Sequence, residues 1–403
     1  MKGFKSLSLA VLASCVMTFS AVAKDKKDKK EDGYVFTEVK TIPNTSIKNQ
    51  HRSGTCWSFS GISFLESEMM RMGKEEVDLS EMFIVYHCYS DKAEKFVRLH
   101  GKLNFGPGGA FHDVTYVLKN YGLVPENAYT GLNIGEKNHV HGEMDQILND
   151  MVSGVIKNKN RKISPVWRNA FDATLDTYLG ELPKTFEYKG KEYTPKTFAK
   201  EVTGLNADDY VEISSYTHHP FYSQFAIEVP DNWLWDNVYN VPMNEMMEII
   251  DNAINKGYSV AWAADVSEKG FDTKKKGVAI VPEADLAEMD NAEIAKWENM
   301  SDREKQSKLL SRKGPGKEKK ITQEMRQEAY DNYQTTDDHG MQIVGTAKDQ
   351  KGNMYYKVKN SWGEYNDYKG YFYASKPFVE YKTMDIMVHK SAIPKHIRKK
   401  LGL

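Results

Sequence analysis

The sequence is poor in cysteine, nearly neutral overall, free of internal repeats, and without any spacing of donors that reads as a metal site. Each shortage excludes something. Of the 3 cysteines, Cys15 lies in an apolar leader-like segment, which leaves Cys56 and Cys88 in the body of the chain. A small disulfide-stapled scaffold is therefore excluded. A bridge between Cys56 and Cys88 would consume a residue whose setting marks it as a nucleophile, so Cys88 is expected as a buried free thiol, a small hydrophobe. A net charge of −1 gives no electrostatic footprint for nucleic acid or an anionic membrane as the main partner. The pairs His139/His141 and His218/His219 read as exposed and incidental, and no cofactor is expected.

What is present begins with an export pattern. Lys2 and Lys5 precede a largely apolar run from Leu7 to Ala23, closed by the small residues Ala21-Val22-Ala23. The run is short and rich in Ser and Thr for a membrane anchor. Residues 1–23 are expected to be a signal peptide, and the protein exported, periplasmic or secreted. Leu12-Ala13-Ser14-Cys15 resembles a lipoprotein box, and lipid anchoring through Cys15 is the alternative. Residues 24–33, almost all Lys, Asp and Glu, read as a solvated linker.

The rest, 34–403, reads as one domain of helices and strands. Cys56 to Met72 has apolar residues at Phe59, Ile62, Leu65, Met69 and Met72, the spacing of a helix with one buried stripe. Asp113 to Asn120 fits a second helix stopped by Gly122. A helical insertion is expected over about 142–205, with helices at Met144–Ile156 and Trp167–Leu179 and a small hairpin at Lys189–Tyr193. Met243 to Lys256 is a helix, and Ser259 to Ala264 a buried strand. A charged excursion over about 268–327 reads as a lid or mobile loop. Met341–Ala347 and Met354–Lys359 flank the turn Asp349–Gly352 as a hairpin, followed by a strand at Gly370–Ala374.

Thiol catalysis needs a thiolate, an imidazole beside it, and a group that orients the imidazole. Cys56 stands at the first turn of its helix, where the helix dipole favours a thiolate. His339 precedes the first strand of the terminal hairpin and Asn360 follows the second, so antiparallel pairing brings them opposite each other within a residue or two. Asp338 is a poorer orienter, because adjacent residues on a strand point to opposite faces.

Asn49-Gln50-His51-Arg52-Ser53-Gly54-Thr55-Cys56-Trp57-Ser58-Phe59-Ser60 resembles the nucleophile segment of papain-like cysteine peptidases (peptidase C1), and Lys359-Asn360-Ser361-Trp362-Gly363 resembles their asparagine segment. The family's Cys-Gly-Ser/Ala-Cys signature is modified, with Ser53 for the first Cys and Thr55 for Ser/Ala. That departure, Gly108-Gly109, Tyr116 to Pro125, Ala263 to Val266 and Asp338 to Met341 are similar to the bleomycin hydrolase / aminopeptidase C branch. The resemblance implies an α+β, two-lobed papain-like fold, with Cys on the helical lobe and His and Asn on the β-rich lobe. It implies a Cys56–His339–Asn360 site, with Gln50 donating to the oxyanion and Trp362 and Trp57 in support. Gly108, Gly109 and Asp338 would line the substrate. The implied activity is hydrolysis of peptides or proteins at free N-termini through an acyl-enzyme, with an open-cleft endopeptidase as the alternative.

An inactive peptide-binding homologue is disfavoured because the catalytic positions carry competent residues, and a transglutaminase-like acyl transferase because such enzymes pair His with Asp. The branch also implies self-association, with a homo-hexamer as the form to test, and no long folded prosegment. In the branch a C-terminal arm enters the cleft and makes the enzyme an aminopeptidase; here the basic tail up to Leu403 is shorter, and both outcomes, a tail that reaches the cleft and one that does not, stay open.

Overall fold

The computed structural model describes residues 33–403. The expected signal, its cleavage point, Cys15 and the linker up to Asp32 lie outside the described residues. Strand β1 (Phe36–Thr41) leads to helix α1 (Cys56–Arg71), α2 (Glu81–Arg98) and α3 (Phe111–Asn120). Helices α4 (Gly142–Ile156) and α5 (Trp167–Leu179), the hairpin β2 (Phe186–Tyr188) and β3 (Lys191–Tyr193), and α6 (Pro195–Phe198) follow. Next come β4 (Tyr210–Ser214), β5 (Gln224–Ala226), β6 (Asn237–Asn240), α7 (Met243–Asn255) and β7 (Val260–Ala264). The charged stretch holds β8 (Phe271–Asp272), β9 (Val278–Ala279), α8 (Asn291–Glu298), α9 (Asp302–Leu310) and α10 (Gln323–Asp331). The chain closes with β10 (His339–Asp349), β11 (Met354–Lys359), β12 (Tyr371–Ser375), α11 (Lys376–Lys382), β13 (Thr383–His389) and α12 (Lys395–Leu401).

One mixed sheet runs β5-β6-β4-β13-β7-β10-β11-β12-β9-β8, and β1 joins it against β10. Strand parity separates two cores. Ala261 of β7 and Met387 of β13 face the helices α1, α2 and α3, whereas Val260, Trp262 and Ala264, with Ile386 and Val388, face α7, α11 and α12. This is the α+β, two-lobed arrangement expected. The charged stretch contributes β8 and β9 to the sheet's edge. Phe271 of β8 stands edge-on to Trp362 at 6.1 Å, so the stretch begins at the back of the candidate site.

Helix α1 departs from the single-stripe expectation. Every residue from Trp57 to Met69 is buried, because α2 and α3 cover one side and β10 and β7 the other, while Met72 is exposed. Gly61 allows the α1–α3 approach: a Cβ there would lie 2.6 Å from Val114 Cγ2. The sheet side carries a polar seam. Gln342 of β10 accepts from Ser63 Oγ at 2.8 Å and donates to Ser67 Oγ at 2.9 Å and to Ser259 Oγ at 3.0 Å. A buried amide with these partners fixes the register of helix on sheet. Helix α2 begins on a Ser80 cap, whose hydroxyl accepts the Phe83 N–H at 3.1 Å.

Candidate active site

A cleft of about 500 Å³ opens between the helical and sheet cores, lined among others by Gln50, Cys56, Trp57, Gly108, Gly109, Asp338, His339 and Trp362. Those expected residues are thus brought to one place; Asn360 stands directly behind. Cys56 is the first residue of α1, preceded by a turn in which Gly54 has φ +68° and would collide with Pro107 if it carried a side chain. The backbone N–H groups of Gly340 and Trp57 favour the thiolate form of Cys56. Burial pushes the lone Cys56 thiol up to about 11, and those two donors oppose the shift.

The ring nitrogen Nε2 of His339 lies 2.8 Å from Asn360 Oδ1. With that nitrogen donating, Nδ1 is the free acceptor. Trp362 stacks on the imidazole with centroids 4.7 Å apart and planes 27° from parallel, which shields the Asn–His contact from water. Burial draws His339 down to about 4, opposed by the Asn360 hydrogen bond. Asn360 is itself held, its Nδ2 donating to Tyr365 Oη at 3.2 Å and its Oδ1 also accepting the Ser361 N–H at 2.8 Å. Register places Lys359 opposite Gln342 in the β10–β11 ladder, so Asn360 lies just past the pairing and close to His339.

Gln50 arrives by strand-like pairing of the two motif segments. Its N–H donates to Ser361 O at 2.8 Å, and the Gly363 N–H donates to Lys48 O at 3.0 Å. Ser361 Oγ then donates to Gln50 Oε1 at 2.6 Å, which turns the side-chain Nε2 away from that contact and leaves it as the donor for the cleft.

The opposite wall is the loop 106–110. Trp57 Nε1 donates to Pro107 O at 2.9 Å, and the indole lies where a Cβ on Gly109 would be 2.8 Å away. Gly108 is equally constrained, because a Cβ there would overlap Asp231. Sequence reading missed Lys92, a buried residue of α2 whose ammonium donates to the carbonyls of Gly106, at 3.0 Å, and Gly108. Nothing in the local sequence signals this. We expect Lys92→Met to leave two wall carbonyls unpaired and to lower stability by about 2–4 kcal/mol. It should also raise KM more than it lowers kcat, as thermal unfolding and steady-state kinetics would show.

Asp338 also lines the cleft, but its carboxylate is engaged. Oδ2 accepts the N–H groups of Val266 and Ser267 at 3.3 and 3.1 Å, and Oδ1 accepts from Thr336 Oγ1 at 2.7 Å. Cys88 is a buried free thiol, its Sγ 3.9 Å from Asp113 O and remote from the cleft lining. The pair His139/His141 departs from the expected exposure. His141 is buried and His139 half-buried against Phe59, because the 139–141 stretch packs over α1; burial pulls both down to about 4. His218 and His219 are not isolated: Glu228 Oε2 and Oε1 pair with their Nε2 atoms at 3.0 and 2.8 Å. Among the described residues, these three are the group able to hold a metal ion.

A thiol at a helix N-terminus, an imidazole held by an amide, and a side-chain amide donor facing the same cleft are the groups that acyl transfer to sulfur requires. Comparisons with known proteins give the class of the enzyme. Residues 36–168 match the papain family of cysteine proteases, and residues 319–402 match the peptidase C1-like family. Aminopeptidase C of Lactobacillus delbrueckii subsp. lactis is 22% identical, with 89% of this chain and 82% of that protein aligned. Aminopeptidase C of Streptococcus thermophilus is 23% identical over 91% of this chain and 84% of its own length. Among solved structures, PepW from Lactobacillus rhamnosis HN001 superposes with a TM-score of 0.67 at 18% identity, covering 91% of this chain and 84% of that one. The chain belongs to the papain-like C1 cysteine peptidases.

Proposed function

We propose that this cysteine peptidase is an aminopeptidase in which Cys56 is the nucleophile, His339 the acid and base, Asn360 its positioning residue, and Gln50 an oxyanion donor. The observation that carries the roles is the His339–Asn360 contact of 2.8 Å beneath Trp362, with Cys56 and His339 lining the same cleft. Moving the thiol proton to His339 Nδ1 makes a thiolate and an imidazolium together. Each charge alone is penalised by burial, and as neighbours they offset each other's cost. Sulfur attacks the peptide carbonyl carbon, and the oxyanion takes hydrogen bonds from Gln50 Nε2 and the Cys56 N–H. His339 gives its proton to the leaving amine, the C–N bond breaks, and a thioester remains. His339 then takes a proton from water, the hydroxide attacks, and the acid departs as the thiol is restored.

Support for exopeptidase action comes from the relatives named aminopeptidase C, which align across nearly the whole chain. One observation favours an endopeptidase instead. Helix α12 packs Ile397 and Leu401 into the core beside α7, with Lys400 paired to Glu245 there, and none of residues 395–403 lines the cleft. An unblocked peptide and its N-acetylated twin separate the two. We expect the free peptide to be cut at least about tenfold faster, with short N-terminal products by mass spectrometry. Equal rates with internal fragments would make the endopeptidase reading correct. Lys2, Lys5 and the apolar run to Ala23 support action outside the cytoplasm.

A further inference from the structure

Gly340 of β10 pairs with Ala263 of β7, and Ala263 pairs in turn with Asp385 of β13. Directly opposed residues in a sheet share a face. These three therefore form a row across three strands, on the face that meets α1: a Cβ on Gly340 would stand 2.8 Å from Ser60 Oγ and 3.2 Å from Trp57 Cα. All three line the cleft together with Cys56. The first two positions carry the smallest residues, which leaves a floor without obstruction, and the third ends it with a carboxylate. Two strand spacings place the Asp385 Cα roughly 10 Å from that of Gly340. Allowing for the reach of an aspartate, this spans one to two residues of extended peptide from the scissile bond.

Asp385 is 6% exposed, and its Oδ1 is buried with no hydrogen-bond partner. Two more carboxylates, Asp337 before β10 and Asp231 beside Gly108, line the same cleft, and Asp337 is near enough to repel both Asp231 and Asp385. The nearby cations, His112 and Arg326, offset them only in part, because each is engaged elsewhere. Glu212 of β4 is taken by His112, from N at 2.6 Å and Nδ1 at 2.8 Å. Arg326 of α10 is buried nearby but donates to the carbonyls of Ser215, Glu380 and Met384 at 2.9, 3.2 and 3.5 Å. Among the described residues, the side-chain donor to Asp231 is a neutral one, Asn104 Nδ2, at 2.9 Å. Burial and like-charged neighbours push Asp337 up to about 7 and Asp385 well above the usual carboxylate range. A carboxylate held this way is stabilised by a cation and by little else.

We propose that Asp385, together with Asp337 and Asp231, forms a subsite for a protonated amine of the bound peptide, one to two residues upstream of the bond that Cys56 attacks. The inference rests on the peptidase reading above. It deepens that reading by placing the recognition of charge inside the cleft rather than on the chain's last helix. The amine is supplied by the peptide's own N-terminus or by a lysine side chain, and the experiment distinguishes them.

Four fluorogenic dipeptide amides are assayed with the wild type, Asp385→Asn and Asp337→Asn. One pair differs only in a free or acetylated N-terminus, and the other, acetylated throughout, only in lysine or norleucine at the residue before the cleaved one. We expect the wild type to prefer at least one amine-bearing substrate about tenfold in kcat/KM, chiefly through KM. Each substitution should reduce that preference by about the same factor. The pair that responds identifies the amine. Asp337 is half-buried on a loop, so its variant reports even where Asp385→Asn does not fold. Equal turnover of charged and neutral twins by the wild type, or a preference that survives the substitutions, overturns the subsite while leaving the peptidase reading intact. No turnover of any substrate by the wild type overturns both.

Discussion

Cys56→Ala is expected to reduce kcat by about five to six orders of magnitude, with the fold unchanged. Removing a nucleophile from an acyl-enzyme mechanism abolishes its first covalent step, and such losses reach about 10⁶ where nucleophile and base act as a unit. The side chain is small and stands at the cleft, half-buried, so its truncation leaves no large void. Cys88→Ala is the matched control. That thiol is fully buried, and burial raises it far from a nucleophilic state. The change should cost about 1 kcal/mol of stability through lost packing and leave kcat within a factor of two or so. Steady-state kinetics and labelling by a thiol-directed epoxide check both. Inactivation of a folded Cys88→Ala protein, or residual epoxide labelling of Cys56→Ala, would overturn the assignment.

Gln50→Ala is expected to lower kcat by about 10²–10³ with little change in KM, the effect of deleting one donor that binds the oxyanion and not the ground-state carbonyl. Ser361→Ala should give a smaller loss, about tenfold. It removes the hydroxyl that holds Gln50 Oε1 at 2.6 Å, without removing the amide itself. The double variant then decides the mechanism. If Ser361 acts only through Gln50, adding Ser361→Ala to Gln50→Ala costs nothing further in kcat. Additive losses would show that the serine acts elsewhere.

The legibility of the sequence followed the range of the interactions. Helix α5, Trp167–Leu179, is read correctly because its apolar stripe faces one core and the rest faces water. The terminal hairpin is read because its turn and its alternation are local. Helix α2 went unread although it is 18 residues long. Met82 to Tyr86 are five consecutive buried residues, since α1, α3, α4 and α5 surround the helix and blur the stripe over its first turns. The same crowding turned the expected single stripe of α1 into burial all round.

The sequence by itself pointed to the proposed chemistry: a cysteine opening a helix, an asparagine closing a hairpin whose other strand begins with histidine, and the short segments around them. These residues sit close to the elements that aim them, so local pattern carries their roles. Tertiary structure alone decided how the site is held and what it can recognise. Ser361 meets Gln50 across 311 positions of sequence, and Lys92 of α2 supports the loop wall from beneath. Asp385 reaches the cleft only because β13, β7 and β10 lie side by side. A serine, a lysine and an aspartate have no distinctive sequence setting. Their roles come from what the folded chain places against them, and from the water that it removes.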